Sequence, residues 1–112
     1  MAIEVNGASV ATTDHGYLEN YLDWNEDVAR KLAELEGIEL TDQHWDVIRY
    51  LRDEYVNNGH NQPMERIVLK DMGKLWGNKP TSKDLYTLFP LAPTKQGTKI
   101  AGLPEVRRKG GY

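Results

Sequence analysis

The stretch Leu40-Thr41-Asp42-Gln43-His44-Trp45-Asp46-Val47-Ile48, continued by Leu51-Arg52-Asp53-Glu54-Tyr55, decides the fold class. Thr41 offers a side-chain oxygen to the free amides of a helix start. Asp42 follows in the first turn, where the helix dipole favours a carboxylate. Trp45, Ile48, Leu51, Arg52 and Tyr55 then mark one face at three- and four-residue spacing. Asn57-Asn58-Gly59 ends the run. A helix with one apolar face needs other elements against which to bury it.

Downstream, Pro63 suits the first position of a helix in which Met64, Ile67, Val68, Met72 and Leu75 face inward. Gly77 and Pro80 punctuate the chain. Thr81 or Ser82 caps a short helix around Leu85, Tyr86 and Leu88, closed by Pro90. A fifth helix runs from Pro93 or Thr94 to Ala101 and stops at Gly102. Upstream, Asp23 with Glu26 resembles a capping box. It opens a helix carrying Val28, Leu32 and Leu35, helped by Ala29 and Ala33, that stops at Gly37. Before it, Ile3-Glu4-Val5 and Ala8-Ser9-Val10 flank Asn6-Gly7, a type I′ hairpin signal. A second turn, Asp14-His15-Gly16, precedes Tyr17-Leu18. The expectation is an α+β domain: a small N-terminal antiparallel β-meander of two or three strands packed on an array of about five helices. Residues 1–103 form the domain. Residues 104–112, with one aliphatic side chain and no periodicity, form a flexible C-terminal tail.

Composition narrows the chemistry. The chain has 112 residues, 39% hydrophobic, enough for a single core. It has no cysteine, which excludes disulfides, thiolate metal sites, iron–sulfur clusters and thiol catalysis. His15, His44 and His60 are not spaced as zinc ligands, so neither a metal nor a cofactor is expected. No serine-hydrolase or phosphate-loop motif occurs. Glu34/Glu36 and Asp53/Glu54 do not share a helix face and make no acid–base pair. No apolar run approaches the ~20 residues that span a bilayer. The start lacks a signal peptide's basic end and apolar stretch, so the expected location is the cytoplasm.

Charge is segregated. Residues 1–56 hold 13 acids and 4 bases, and residues 57–112 hold 4 acids and 10 bases. Arg107, Arg108 and Lys109 in the tail, with Lys95 and Lys99 upstream, could enter an anionic cleft on a partner protein. The helices at about 41–57 and 63–76 are also compatible with helix-turn-helix DNA binding. Gln62, Arg66 and Lys70 would then meet the duplex, against repulsion from Glu65. Trp24, Trp45, Trp76, Tyr86 and Phe89 are expected in the core.

The stretch 40–55 resembles the central signature of the DsrC/TusE family, small cytoplasmic sulfur-relay proteins. So do Leu85-Tyr86-Thr87-Leu88-Phe89-Pro90, Pro93-Thr94-Lys95-Gln96 and Ile100-Ala101-Gly102-Leu103-Pro104. The opening Ile3-Glu4-Val5-Asn6-Gly7 and Gly16-Tyr17-Leu18 match as well. The resemblance implies a β-meander on a helical array and a protein partner in a sulfur-relay or sulfite-reductase system. It also implies a flexible C-terminal arm whose penultimate cysteine carries persulfide sulfur, with a second cysteine about ten residues earlier in some members. Here those positions fall at about Lys109 and at Thr98, and the penultimate residue is Gly111. The expectation is therefore a non-catalytic regulatory or partner-docking homologue, with a DNA-binding regulator of sulfur metabolism as the alternative.

Overall fold

The computed structural model describes residues 1–106. It opens with a hairpin of β1 (Ala2–Val5) and β2 (Ala8–Ala11), in which Ala2 faces Ala11 and Val5 faces Ala8. Asn6 and Gly7 take φ of 51° and 82°, the doubly left-handed turn that Asn-Gly permits. The expected third strand is reduced to one antiparallel bridge between Thr12 and Leu18. Asn20 then caps a single 3-10 turn, Tyr21–Asp23, so the extended chain has no room to continue.

That turn also moves the start of the first helix. Asp23 lies within it, and the expected Asp23–Glu26 box does not form. Asn25 caps α1 (Glu26–Leu35) instead, its side chain accepting from the Val28 amide at 2.9 Å. Thr41 precedes α2 (Asp42–Asn57) as expected, with His44 as its reciprocal partner. The Thr41 amide donates to His44 Nδ1 at 3.0 Å, and His44 Nε2 lies 2.7 Å from the Leu88 carbonyl. An amide only donates and a carbonyl only accepts. Nδ1 is therefore bare and Nε2 carries the proton: a neutral imidazole ties the start of α2 to the end of α4 (Ser82–Leu88). Thr81 caps α4 and forms a box with Asp84.

Helix α3 (Glu65–Trp76) corrects two expectations. It starts two residues after Pro63, because Met64 is extended and serves as the N-cap. Its phase is also different. Val68 and Met72 are its buried residues, whereas Met64, Ile67 and Leu75 are 42%, 38% and 60% exposed. The helix leans on α2 and α4, and the row through Val68 and Met72 is enough to seal that seam. The flanking apolar residues have nothing to face. Tyr50 donates to Asp71 at 2.5 Å and Trp76 Nε1 donates to Asp46 at 2.8 Å, and these bonds fasten α3 to α2.

Phe89 is fully buried as expected, but Tyr86 is exposed and the three tryptophans are only partly buried. Each indole has a polar or cationic partner that holds it at the margin. Arg30 and Arg49 lie 5.4 and 5.6 Å from the Trp45 ring centre.

The last helix, α5 (Pro93–Ile100), sits at the centre, against α1, α2 and α4. Pro93, Thr94, Gln96, Gly97, Thr98 and Ile100 are all buried in it. A Cβ on Gly97 would lie 3.1 Å from Leu51 Cδ1, so α5 and α2 approach as closely as a bare backbone allows. The end of α5 is clamped. Trp24 Nε1 donates to the Ile100 carbonyl at 2.9 Å. Arg52 donates to the Ala101 carbonyl at 2.8 Å and to the Tyr21 carbonyl at 3.3 Å, with its guanidinium 4.3 Å from the Trp24 ring centre. Beneath that indole Gly102 turns the chain at φ 70°.

Two measurements test these ties. Burial pushes the His44 pKa below its ordinary 6.5. The unfolded chain then takes up the proton more readily, so stability present above pH 6.5 falls as the pH drops below it. Urea unfolding should show that loss in the native chain, and His44→Gln should flatten it. Gly102→Ala would set a Cβ 2.4 Å from Trp24 Cδ1 at a left-handed φ. It should lower stability by roughly 2–3 kcal/mol. Gly7→Ala, left-handed but with open space around it, should lose about 1 kcal/mol.

Candidate docking site

The chemistry that could serve a partner gathers around α5 and the chain segment leaving it. Helix α5 is short of large apolar side chains, so its burial depends on satisfied polar groups. Gln96 accepts from the Leu91 amide at 2.9 Å and donates to Glu36 Oε1 at 3.0 Å. Lys99 Nζ reaches the other Glu36 oxygen at 3.4 Å and lies 5.1 Å from the Tyr17 ring centre. Glu36 is the C-cap of α1. One carboxylate therefore binds two side chains of α5 and, through Gln96, fixes the turn before it. That turn is strained: Ala92 has φ 141°, where an L side chain crowds its own backbone.

Beyond Gly102 the chain is held against the hairpin side of the molecule. Leu103 and Val106 are buried, at 1% and 5% exposure. Gln62 donates to the Pro104 carbonyl at 2.8 Å, and His15 Nδ1 lies 2.8 Å from Glu105 Oε1. Thr13, Tyr17, Leu18, Glu19, Pro104 and Glu105 line an open groove of about 390 Å³ there.

The residues expected to act fall in three places. Lys95 is exposed on the first turn of α5, while Lys99 is half-covered and paired with Glu36. Arg107, Arg108 and Lys109 lie outside the described residues. Thr98 is 2% exposed, inside the core rather than on a surface. Arg66 and Lys70 are exposed on α3, but Gln62 is engaged with the C-terminal segment. Among the described residues no cluster of His, Cys, Asp and Glu could hold a metal, and no helix is long and apolar enough to cross a membrane.

Sequence reasoning missed Glu36, Gln96 and His15, whose partners lie 60 to 90 residues away. Arg52 did leave a signal, as a cation on the apolar face of α2. Only the structure shows that it closes the end of α5.

The model of the family described as DsrC like protein matches residues 4–108. A sulfurtransferase TusE homolog of Haemophilus influenzae is 47% identical over 104 residues, which is 92% of this chain and 94% of that protein. The fold superposes on DsrC of Allochromatium vinosum with a TM-score of 0.88 at 41% identity, covering 97% of this chain and 99% of that one. It superposes equally, at 0.88 and 33% identity, on the oxidized gamma-subunit of the dissimilatory sulfite reductase (DsrC) from Archaeoglobus fulgidus, with the same coverage. A family model over nearly the whole length and relatives aligned over more than nine-tenths of it agree: the chain belongs to the DsrC family of sulfur-relay proteins.

Proposed function

We propose that this protein occupies the place of a sulfur-bearing DsrC or TusE relative on a sulfur-relay or sulfite-reductase partner and delivers no sulfur. The observation that carries this reading is a family fold without a cysteine anywhere in its 112 residues. Persulfide relay needs a thiolate, which cysteine supplies near neutrality because its pKa is about 8.5. A threonine hydroxyl at position 98 is a far poorer nucleophile and cannot hold sulfane sulfur. Lys109 presents an ammonium ion, which is no nucleophile at all while charged.

What remains is recognition. Lys95, Arg107, Arg108 and Lys109 supply positive charge toward an anionic cleft, and Lys99 contributes through the Glu36 network that sets the pose of α5. The relative described as a sulfite reductase gamma-subunit indicates the class of partner. A protein that docks without delivering sulfur lowers relay flux by mass action, in proportion to its concentration over its Kd. The DNA-reading alternative has less support. The α2–α3 connection runs over residues 58–64, longer than the three or four residues of a DNA-binding turn. Gln62 also faces the C-terminal segment.

The test is a titration. Adding the full chain to a persulfide-loaded, cysteine-bearing relative and its partner should slow sulfur transfer, and excess relative should restore the rate. Intact-mass spectrometry after incubation with a persulfide donor should show no added sulfur. A chain that gains sulfur and passes it on, or one that neither binds the partner nor slows transfer, overturns the reading.

A further inference from the structure

Helix α3 carries a surface that neither the clamp nor α5 uses. Arg66, Lys70 and Lys74 recur every four residues and so stand in one row along it. All three are exposed. Among the described residues Arg66 and Lys70 have no ion-pair partner. Lys74 Nζ stands 3.8 Å from Asp71, a carboxylate already bonded to Tyr50. Ile67 adjoins that row, and Met64 at the N-cap and Leu75 in the last turn, both also exposed, lie between it and the buried Val68–Met72 seam. Solvent-facing helices favour charged residues, and three large apolar side chains on one such helix are left without a partner inside the molecule.

We propose that this face of α3 is a docking surface for a partner protein presenting an apolar centre rimmed by carboxylates. The inference rests on the docking reading above and adds a second contact area to it. Charge selects the occupant's sign: α3 presents Arg66, Lys70 and Lys74, while its two acids, Asp71 and Glu65, accept from Tyr50 and Ser82. The apolar residues select its class. Phosphodiester backbones are held by charge and hydrogen bonds, to which Met64, Ile67 and Leu75 add nothing. Protein interfaces combine apolar anchors with a charged rim. A second copy of this chain would offer acids from residues 1–56. Such a basic-to-acidic contact is heterologous and propagates unless it closes into a ring.

The probe is a synthetic helical peptide with leucines along one face and glutamates on both flanks. It is titrated into the full chain and followed by amide NMR shifts. Shifts should centre on α3, and the double variant Arg66→Glu/Lys70→Glu should weaken binding at least tenfold. Leu75→Ser should weaken it several-fold, and replacing the peptide's leucines with serine about tenfold. These side chains are exposed, so unchanged melting curves would confirm that the variants stay folded. Shifts confined to other elements, or equal affinity for the serine peptide, overturn the proposal. So does tighter, steeply salt-dependent binding of double-stranded DNA to the same face, or a dilution series showing that α3 is covered by a second copy. The readout uses no sulfur-relay protein, so it stands or falls apart from the competition experiment.

Discussion

The structure depends on capturing the carbonyls at the end of α5. That helix ends in the middle of the molecule, where the Ile100 and Ala101 oxygens have no continuing turn to bond. Trp24 and Arg52, from different elements, donate to them. The same two side chains stack on each other and, through the Tyr21 carbonyl, tie in the 3-10 turn. A single cation–aromatic pair thus joins the 3-10 turn, α2 and α5. It also fixes the direction in which the C-terminal segment departs.

Much of the architecture was legible because it is local. Asn6-Gly7 specifies its turn, Thr41 and Thr81 start their helices, and Pro93 and Gly102 bracket α5. What was not legible depends on neighbours far along the chain. Met64, Ile67 and Leu75 read as a core face, yet which side of a helix is buried is decided by what packs on it. Asp23 reads as a cap until Tyr21–Asp23 closes into its own turn and Asn25 takes the role. The tryptophans read as core because their area dominates, but arginines and carboxylates hold them at the rim.

The candidate site divides in the same way. The family signature and the missing thiol are properties of the sequence, and they carry the functional reading. The Glu36–Gln96–Lys99 network is not visible there. Its members look like ordinary surface charges and amides until α1 and α5 meet. Burying them rigidifies the region, because each lost bond would leave a polar group without water.

The approach of Gly97 to Leu51 has an evolutionary consequence. The two positions adjoin one volume, so a methyl group gained on α5 asks the Leu51 side chain on α2 to give by a few tenths of an ångström. Sequence drift at these sites is therefore coupled, although 46 residues separate them. Exposed positions outside the proposed docking residues carry no such coupling.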